Sequence, residues 1–333
     1  MLHRINLYPW PGMDAEKVVS KLAKAGFNSL CVQAKPVDGV SLINTGFFPG
    51  GDGSLLDRII DIAKKEGMEV VGRISLMCDI RLSAERSDLL SYARNSMPLV
   101  HPYVDLDWYG FLCPDREEII SAYLDFVETL LSERDLDAVA LEYVGYAFAR
   151  QENRRVLACY CFHCRERFRQ ETGQDPIEVS QLSEQWVNWR VSNVARNLRA
   201  LAKVVKRNSA RLEVVQDQDD TPDFRIESMY RRALGIRLDL LRDIVDRFVP
   251  RARHSQAQVY FRQLKHFRQI HGMDLVSEVA RECIKRPEDY LYFLKAAEAA
   301  GCSISSLEGF GAVHNGFDLD MLWRISELVS SLG

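Results

Sequence analysis

Several absences narrow the field before any motif is considered. No run in the sequence approaches the ~20 consecutive apolar residues that a membrane-spanning helix needs. The opening Met1-Leu2-His3-Arg4-Ile5-Asn6 lacks the apolar stretch of a signal peptide, so a cytoplasmic location is expected. There is no basic block: 43 Lys and Arg stand against 47 Asp and Glu, a net charge of −4, which makes a poor nucleic-acid binder. The seven histidines form no His-x-His and no His-Glu-x-x-His, so a catalytic-metal hydrolase lacks its usual ligands. No Gly-x-Ser-x-Gly elbow marks a serine hydrolase, and no glycine-rich phosphate loop follows the first strand. Internal repeats, low-complexity tracts and linkers are missing too. What remains is 333 residues, 47% of them hydrophobic, enough to bury a large core as one domain spanning 1–333.

The apolar pattern alternates short runs with amphipathic stretches, which is how βα units read. Strands are expected at Ile5–Tyr8, Ser29–Gln33, Glu69–Ile74, Ala138–Leu141, Leu212–Val215, Phe248–Val249, Asp274–Glu278 and Cys302–Leu307. Helices fill the gaps. Gly26 stops the first, Ser54 with Asp57 opens the second, and Asp115 with Glu118 reads as a capping box before the third. Eight such units in one chain predict a (β/α)₈ barrel, in preference to an open doubly wound sheet. Two connections, Met77–Pro114 and Tyr143–Gln185, are too long for simple turns. Both leave the C-terminal ends of strands, where barrels keep their active sites.

Half of the eight cysteines are scattered. The rest are Cys113 and the run Cys159-Tyr160-Cys161-Phe162-His163-Cys164. Three thiols within six residues are too close for mutual disulfides, yet their spacing lets one short loop wrap a tetrahedral ion. Cys113 ends the other long loop and is the best fourth ligand, with His163 as the alternative. Four thiolates favour Zn²⁺ and leave no open coordination position, so the expected role is to staple the two top loops together.

These residues carry a likeness to known proteins. Leu141-Glu142-Tyr143 followed by the Cys-x-Cys-x-x-Cys run and Arg165-Glu166-Arg167-Phe168 resembles the family 42 β-galactosidases. Leu112-Cys113-Pro114 occupies the place of that family's fourth ligand segment. The resemblance implies a structural Zn²⁺ on Cys113, Cys159, Cys161 and Cys164, no organic cofactor, and a proton donor at Glu142. Val32–Gly39, Asp137–Tyr143 and Asp246–Pro250 are similar to the strand two, four and six signatures of glycosyl-hydrolase-like barrel proteins. Leu141 stands where the β-galactosidases carry an Asn that contacts the sugar. That departure motivates a second hypothesis, a barrel that binds carbohydrate without turning it over.

Glycoside hydrolysis needs two carboxyl groups, one protonated and one ionised. Glu142, with apolar Ala140 and Leu141 behind it, is expected to have a raised pKa. The resemblance points to Glu278 as the nucleophile of a retaining enzyme. Glu308 and Asp217 are its competitors, and Glu142 with Asp217 would suit an inverting or α-specific enzyme. Tyr8, Trp10, Trp108, Tyr109, Tyr143 and Tyr146 are candidate platforms for sugar C–H faces. Gln33, Lys35, Arg73 and Arg251 lie at or just past strand ends and complete the substrate-binding set. The expected partner is a small glycoside or oligosaccharide, with homo-oligomerisation left open.

Overall fold

The computed structural model describes residues 1–100, 110–151, 154–218, 223–253, 256–311 and 318–330. Eight parallel strands close a barrel: β1 (Leu2–Tyr8), β2 (Ser29–Lys35), β3 (Glu69–Ser75), β4 (Ala138–Glu142), β5 (Arg211–Gln218), β6 (Arg247–Ala252), β7 (Val276–Val279) and β8 (Ile304–Gly311). Each strand pairs with the next in sequence, and β8 returns to β1. Every expected strand is present. Helices connect them, so this is the (β/α)₈ architecture that the alternation predicts. Among the described residues no helix is long and apolar enough to cross a membrane.

Strand alternation sorts the side chains into two apolar clusters. The larger joins the outer strand faces to the helices. The smaller fills the barrel waist with Cys31, Val71, Ala138, Ala140, Val215, Val249, Val276 and Ile304. Burying each of its valines contributes roughly 1.5–3 kcal/mol. Below this plug, Arg4 donates to Glu213 at 2.6 Å and to Glu69 at 3.0 Å, and Arg247 reaches the same two carboxylates. Above it, the inward-facing residues are polar, and they form the candidate site.

Two helix starts differ from expectation. The helix Ser54–Lys65 begins one residue earlier than a Ser54 cap would allow: Gly53 holds the cap position at φ 85°, a left-handed conformation that suits glycine. The Asp115 capping box does not form. The helix Glu117–Ser132 is preceded by Arg116 with no side-chain cap, and Asp115 instead pairs with Arg167 at 2.5 Å and Arg196 at 3.2 Å.

The two long connections carry structure that the periodicity did not reveal. The first contains a helical turn at Ile80–Glu85 and a short 3₁₀ turn at Ser87–Leu89. The second holds an antiparallel hairpin, Phe148–Gln151 with Arg154–Leu157, and the helix Phe162–Thr172. A backbone bridge between Ala93 and Ala158, with Tyr160 N donating to Tyr92 O at 2.8 Å, stitches one connection to the other.

Candidate active site

At the top of the barrel, Arg73 from β3 lies between two glutamates. Its Nε and Nη2 donate to Glu142 Oε2 at 3.1 and 2.9 Å, while Nη1 and Nη2 reach Glu278 Oε1 at 3.0 Å. The remaining oxygens are taken as well. Glu142 Oε1 accepts from Ser75 Oγ and from Gln33 Nε2 at 3.2 Å. Glu278 Oε2 accepts from Asn6 Nδ2 at 2.9 Å and Ser306 Oγ at 3.4 Å. These carboxylates are 5% and 2% exposed.

This arrangement overturns the expected raised pKa of Glu142. Burial does push the carboxyl up, as the apolar sequence context suggested. The Arg73 and Arg251 guanidinium charges outweigh it and hold the group at about 2. The residues that decide the matter come from β3 and β6, so their proximity is a tertiary effect.

The other two carboxylates sit farther out, on Arg251 and Arg253. Arg251 donates through Nε to Asp217 Oδ1 and through Nη1 to Glu308 Oε1, and it reaches Glu142 Oε2 at 3.2 Å. Arg253 holds both oxygens of Glu308 at 3.0 Å and approaches Asp217 at 3.4 Å. Asp217 is 34% exposed and Glu308 10%, so these are the carboxylates that solvent reaches. Burial opposes ionisation of both, but with different outcomes. At Asp217 the two arginines win and lower the pKa well below the usual carboxylate range. At Glu308 burial, aided by the Glu278 charge, wins over the same arginines and raises it. Arg73, Arg251 and Arg253 thus face Glu142, Glu278, Glu308 and Asp217, and Arg253 also donates to Glu282 at 3.2 Å.

The candidate aromatics divide. Tyr8 is close enough to Glu308 that, after burial, that charge is the next cause raising its phenol pKa. Tyr143 follows Glu142 directly, holds φ 55° in the left-handed region, and meets the ring of Phe111 at 6.2 Å. Trp10 is half-buried and stands edge-on to Phe310 at 6.3 Å. Trp108 and Tyr109 lie outside the described residues. Tyr146 does not belong to the site: it is buried beside Arg190 (4.5 Å to the ring centroid) and accepts from Asn193.

Lys35 is also misplaced by a simple strand alternation. The pairing of β2 with β3 shifts between Gln33 and Lys35, and this irregularity turns Lys35 toward the helix layer. There its ammonium donates to Asp79 at 2.7 Å and sits over the rings of Phe48 and Tyr123. Residues that sequence reasoning missed include Asn6, Ser75, Ser306 and Arg253. Asn6, Ser75 and Ser306 lie on the same strand face as Tyr8, Arg73 and Glu308, two positions away, and Arg253 follows Arg251 by two positions just past the end of β6. That spacing is the signal that would have found them.

Beside the site, the two connections bring four cysteines together. Cys113, Cys159, Cys161 and Cys164 are buried, and their sulfurs lie within 4.8 Å of one another, a set that can hold a metal ion. Cys113 Sγ is 3.3 Å from Cys164 Sγ and 3.7 Å from Cys161 Sγ. A tetrahedral ion with metal–sulfur bonds of ~2.3 Å needs sulfurs about 3.8 Å apart, so the donor set fits. Hydrogen bonds from the neighbouring thiols lower the Cys161 pKa. His163 is not in the cluster: its Nε2 is 2.9 Å from the Asp115 backbone oxygen.

No protein-family model and no curated protein sequence matches the chain. Solved structures do. The glycoside hydrolase domain of PgaB (BpsB) from Bordetella bronchiseptica superposes with a TM-score of 0.73 at 12% identity, covering 98% of this chain and 99% of that one. A β-galactosidase from the haloarchaeon Halorubrum lacusprofundi gives 0.73 at 13% identity, over 100% of this chain and 58% of its own. The α-L-fucosidase isoenzyme 2 of Paenibacillus thiaminolyticus gives 0.70 at 16%, over 99% and 49%. This chain therefore spans about half the length of the latter two, and the likeness establishes a shared fold.

Proposed function

We propose that the protein is a glycoside hydrolase acting at the top of the barrel on a small glycoside or oligosaccharide. The observation that carries this reading is the pair Glu308 and Asp217. They share Arg251 and Arg253, yet one is pushed toward the protonated form and the other held ionised. Two carboxyl groups with pKa values driven apart are what glycosidic cleavage requires. Glu308 protonates the leaving oxygen, and Asp217 meets the positive charge that develops at the anomeric carbon. Glu142 and Glu278 orient Arg73 and Arg251 beneath them. Tyr8 and Tyr143 offer ring faces at the rim. The names of the fold neighbours, hydrolases of glycosidic bonds, support the same chemistry.

A second reading rests on one observation. Arg73 Nη2 bonds both Glu142 and Glu278, so those oxygens are at most about 6 Å apart, compatible with the ~5–5.5 Å separation of retaining enzymes. In that reading Glu142 is acid/base and Glu278 the nucleophile, and Glu142 must gain a proton on substrate binding.

For the cysteine cluster we propose a structural Zn²⁺. Four thiolates close the coordination sphere, so the ion ties the two connections together and supplies no chemistry to the reacting carboxylates.

The test of the glycosidase reading is hydrolysis of a panel of aryl α- and β-glycosides. Turnover of at least one is the expected result, lost in Asp217→Asn and, for panel members with poorly acidic leaving groups, in Glu308→Gln. Binding of sugars without turnover of any panel member contradicts it and favours a carbohydrate-binding barrel.

A further inference from the structure

Away from the barrel top, on the outer helix layer, three potential ligands converge that neither the sequence patterns nor the proposed reaction uses. His266 and His271 lie on the helix Ala257–His271, and Glu227 lies on the neighbouring helix Asp223–Met229. Five residues on a helix place side chains roughly 140° apart around the axis and about 7.5 Å along it, which normally separates them. Here the two rings converge instead, with centroids 5.4 Å apart. Both Nε2 atoms approach the same carboxylate oxygen, Glu227 Oε1, at 3.0 Å from His271 and 3.5 Å from His266.

We propose that Glu227, His266 and His271 form a second metal site, for a borderline divalent ion such as Zn²⁺. Metal–nitrogen and metal–oxygen bonds of about 2.0–2.2 Å place tetrahedral ligand atoms roughly 3.3–3.5 Å apart. The separations of 3.0 and 3.5 Å lie close to that edge, and the nearest ligand atoms of the three residues all lie within 4.8 Å of one another. Two imidazoles and a carboxylate suit zinc better than magnesium or calcium, which prefer all-oxygen shells. The imidazoles are largely buried and the carboxylate is 56% exposed, so an ion enters from the solvent side and retains a water. His271 is the last residue of its helix, before Gly272 at φ 63°, where the helix's carbonyl end favours a cation. The clamp joins helices that follow β5 and β6, the strands that carry Asp217 and Arg251. It is independent of the cysteine cluster in both position and donor chemistry.

The experiment is a Zn²⁺ titration of the full chain by equilibrium dialysis, comparing wild type with Glu227→Gln, His266→Gln and His271→Gln. Wild type is expected to bind one zinc more tightly than each variant, with at least about tenfold weaker binding when a ligand is removed. Co²⁺ loading separates this site from the thiolates: its nitrogen–oxygen bands vanish in the variants, while sulfur charge-transfer bands persist. Glu227→Gln changes only an exposed side chain, so it serves as the variant that keeps the fold, checked by circular dichroism. Zinc uptake and Co²⁺ spectra that are identical in wild type and Glu227→Gln overturn the proposal. So does a wild type that takes up no zinc beyond the cysteine-held ion.

Discussion

One nitrogen, Arg73 Nη2, donates to Glu142 Oε2 at 2.9 Å and to Glu278 Oε1 at 3.0 Å, at a depth where all three side chains are almost wholly buried. Two carboxylates at this separation repel each other, and the guanidinium between them offsets that repulsion.

Arg73→Met should therefore destabilise the fold by about 3–5 kcal/mol, because it removes the cation that bonds both buried carboxylates and leaves them to Arg251, at 3.2 and 3.8 Å. Urea unfolding is the measurement. The double variant with Glu278→Gln should recover part of the loss, and a double variant no more stable than Arg73→Met would show that the charge pair is not the cause.

Acid should expose the same linkage. The Glu142 carboxyl is held at about 2, below its value of 4.5 when unperturbed, so it binds a proton more readily unfolded than folded. Its contribution, on the order of 3 kcal/mol, is complete above about pH 5 and lost as the pH falls toward 2. Glu142→Gln should flatten the stability profile across that window, and an unchanged slope would remove Glu142 from the account.

The cysteine cluster predicts one Zn²⁺ per chain on elemental analysis and a lower Tm on chelation. Cys113→Ser should release the ion, since Cys113 is the sole ligand from the first connection among the described residues. Retention of full zinc by that variant would mean that another group completes the site.

Activity should also depend on pH in a defined direction. Burial raises the Glu308 pKa, and the protonated form is the one that acts, so turnover should fall as the pH rises through that value. An ionised Asp217, whose pKa is lowered, sets the acid limb. Asp217→Asn should abolish turnover at all pH values.

The fold was legible in the sequence because each strand is a short apolar run bounded by turn signals, and all eight fall where periodicity places them. The eight-strand register also puts Glu142, Glu278, Glu308, Asp217, Arg73 and Arg251 on one face, as their strand-end positions suggest. What escaped were effects that depend on neighbours distant in sequence. The depressed pKa of Glu142 arises from arginines on two other strands. Lys35 turned away because of a pairing irregularity that no local pattern announces. Asp115 left its helix start to bind Arg167, 52 positions along the chain. The paired strands Phe148–Gln151 and Arg154–Leu157 have too few residues for a periodic signal.

The central claim, that Glu308 rather than Glu142 donates the proton, is tested most directly by leaving-group dependence. On any glycoside that the wild type hydrolyses, Glu308→Ala should lose about 10²–10⁴-fold in turnover with a poorly acidic leaving group. The same variant should lose far less with an activated aryl group, which departs without protonation. Glu142→Ala should lower the two substrates alike, through disorder of Arg73 and Arg251. If Glu142→Ala shows the leaving-group discrimination and Glu308→Ala does not, the assignment of the proton donor is wrong.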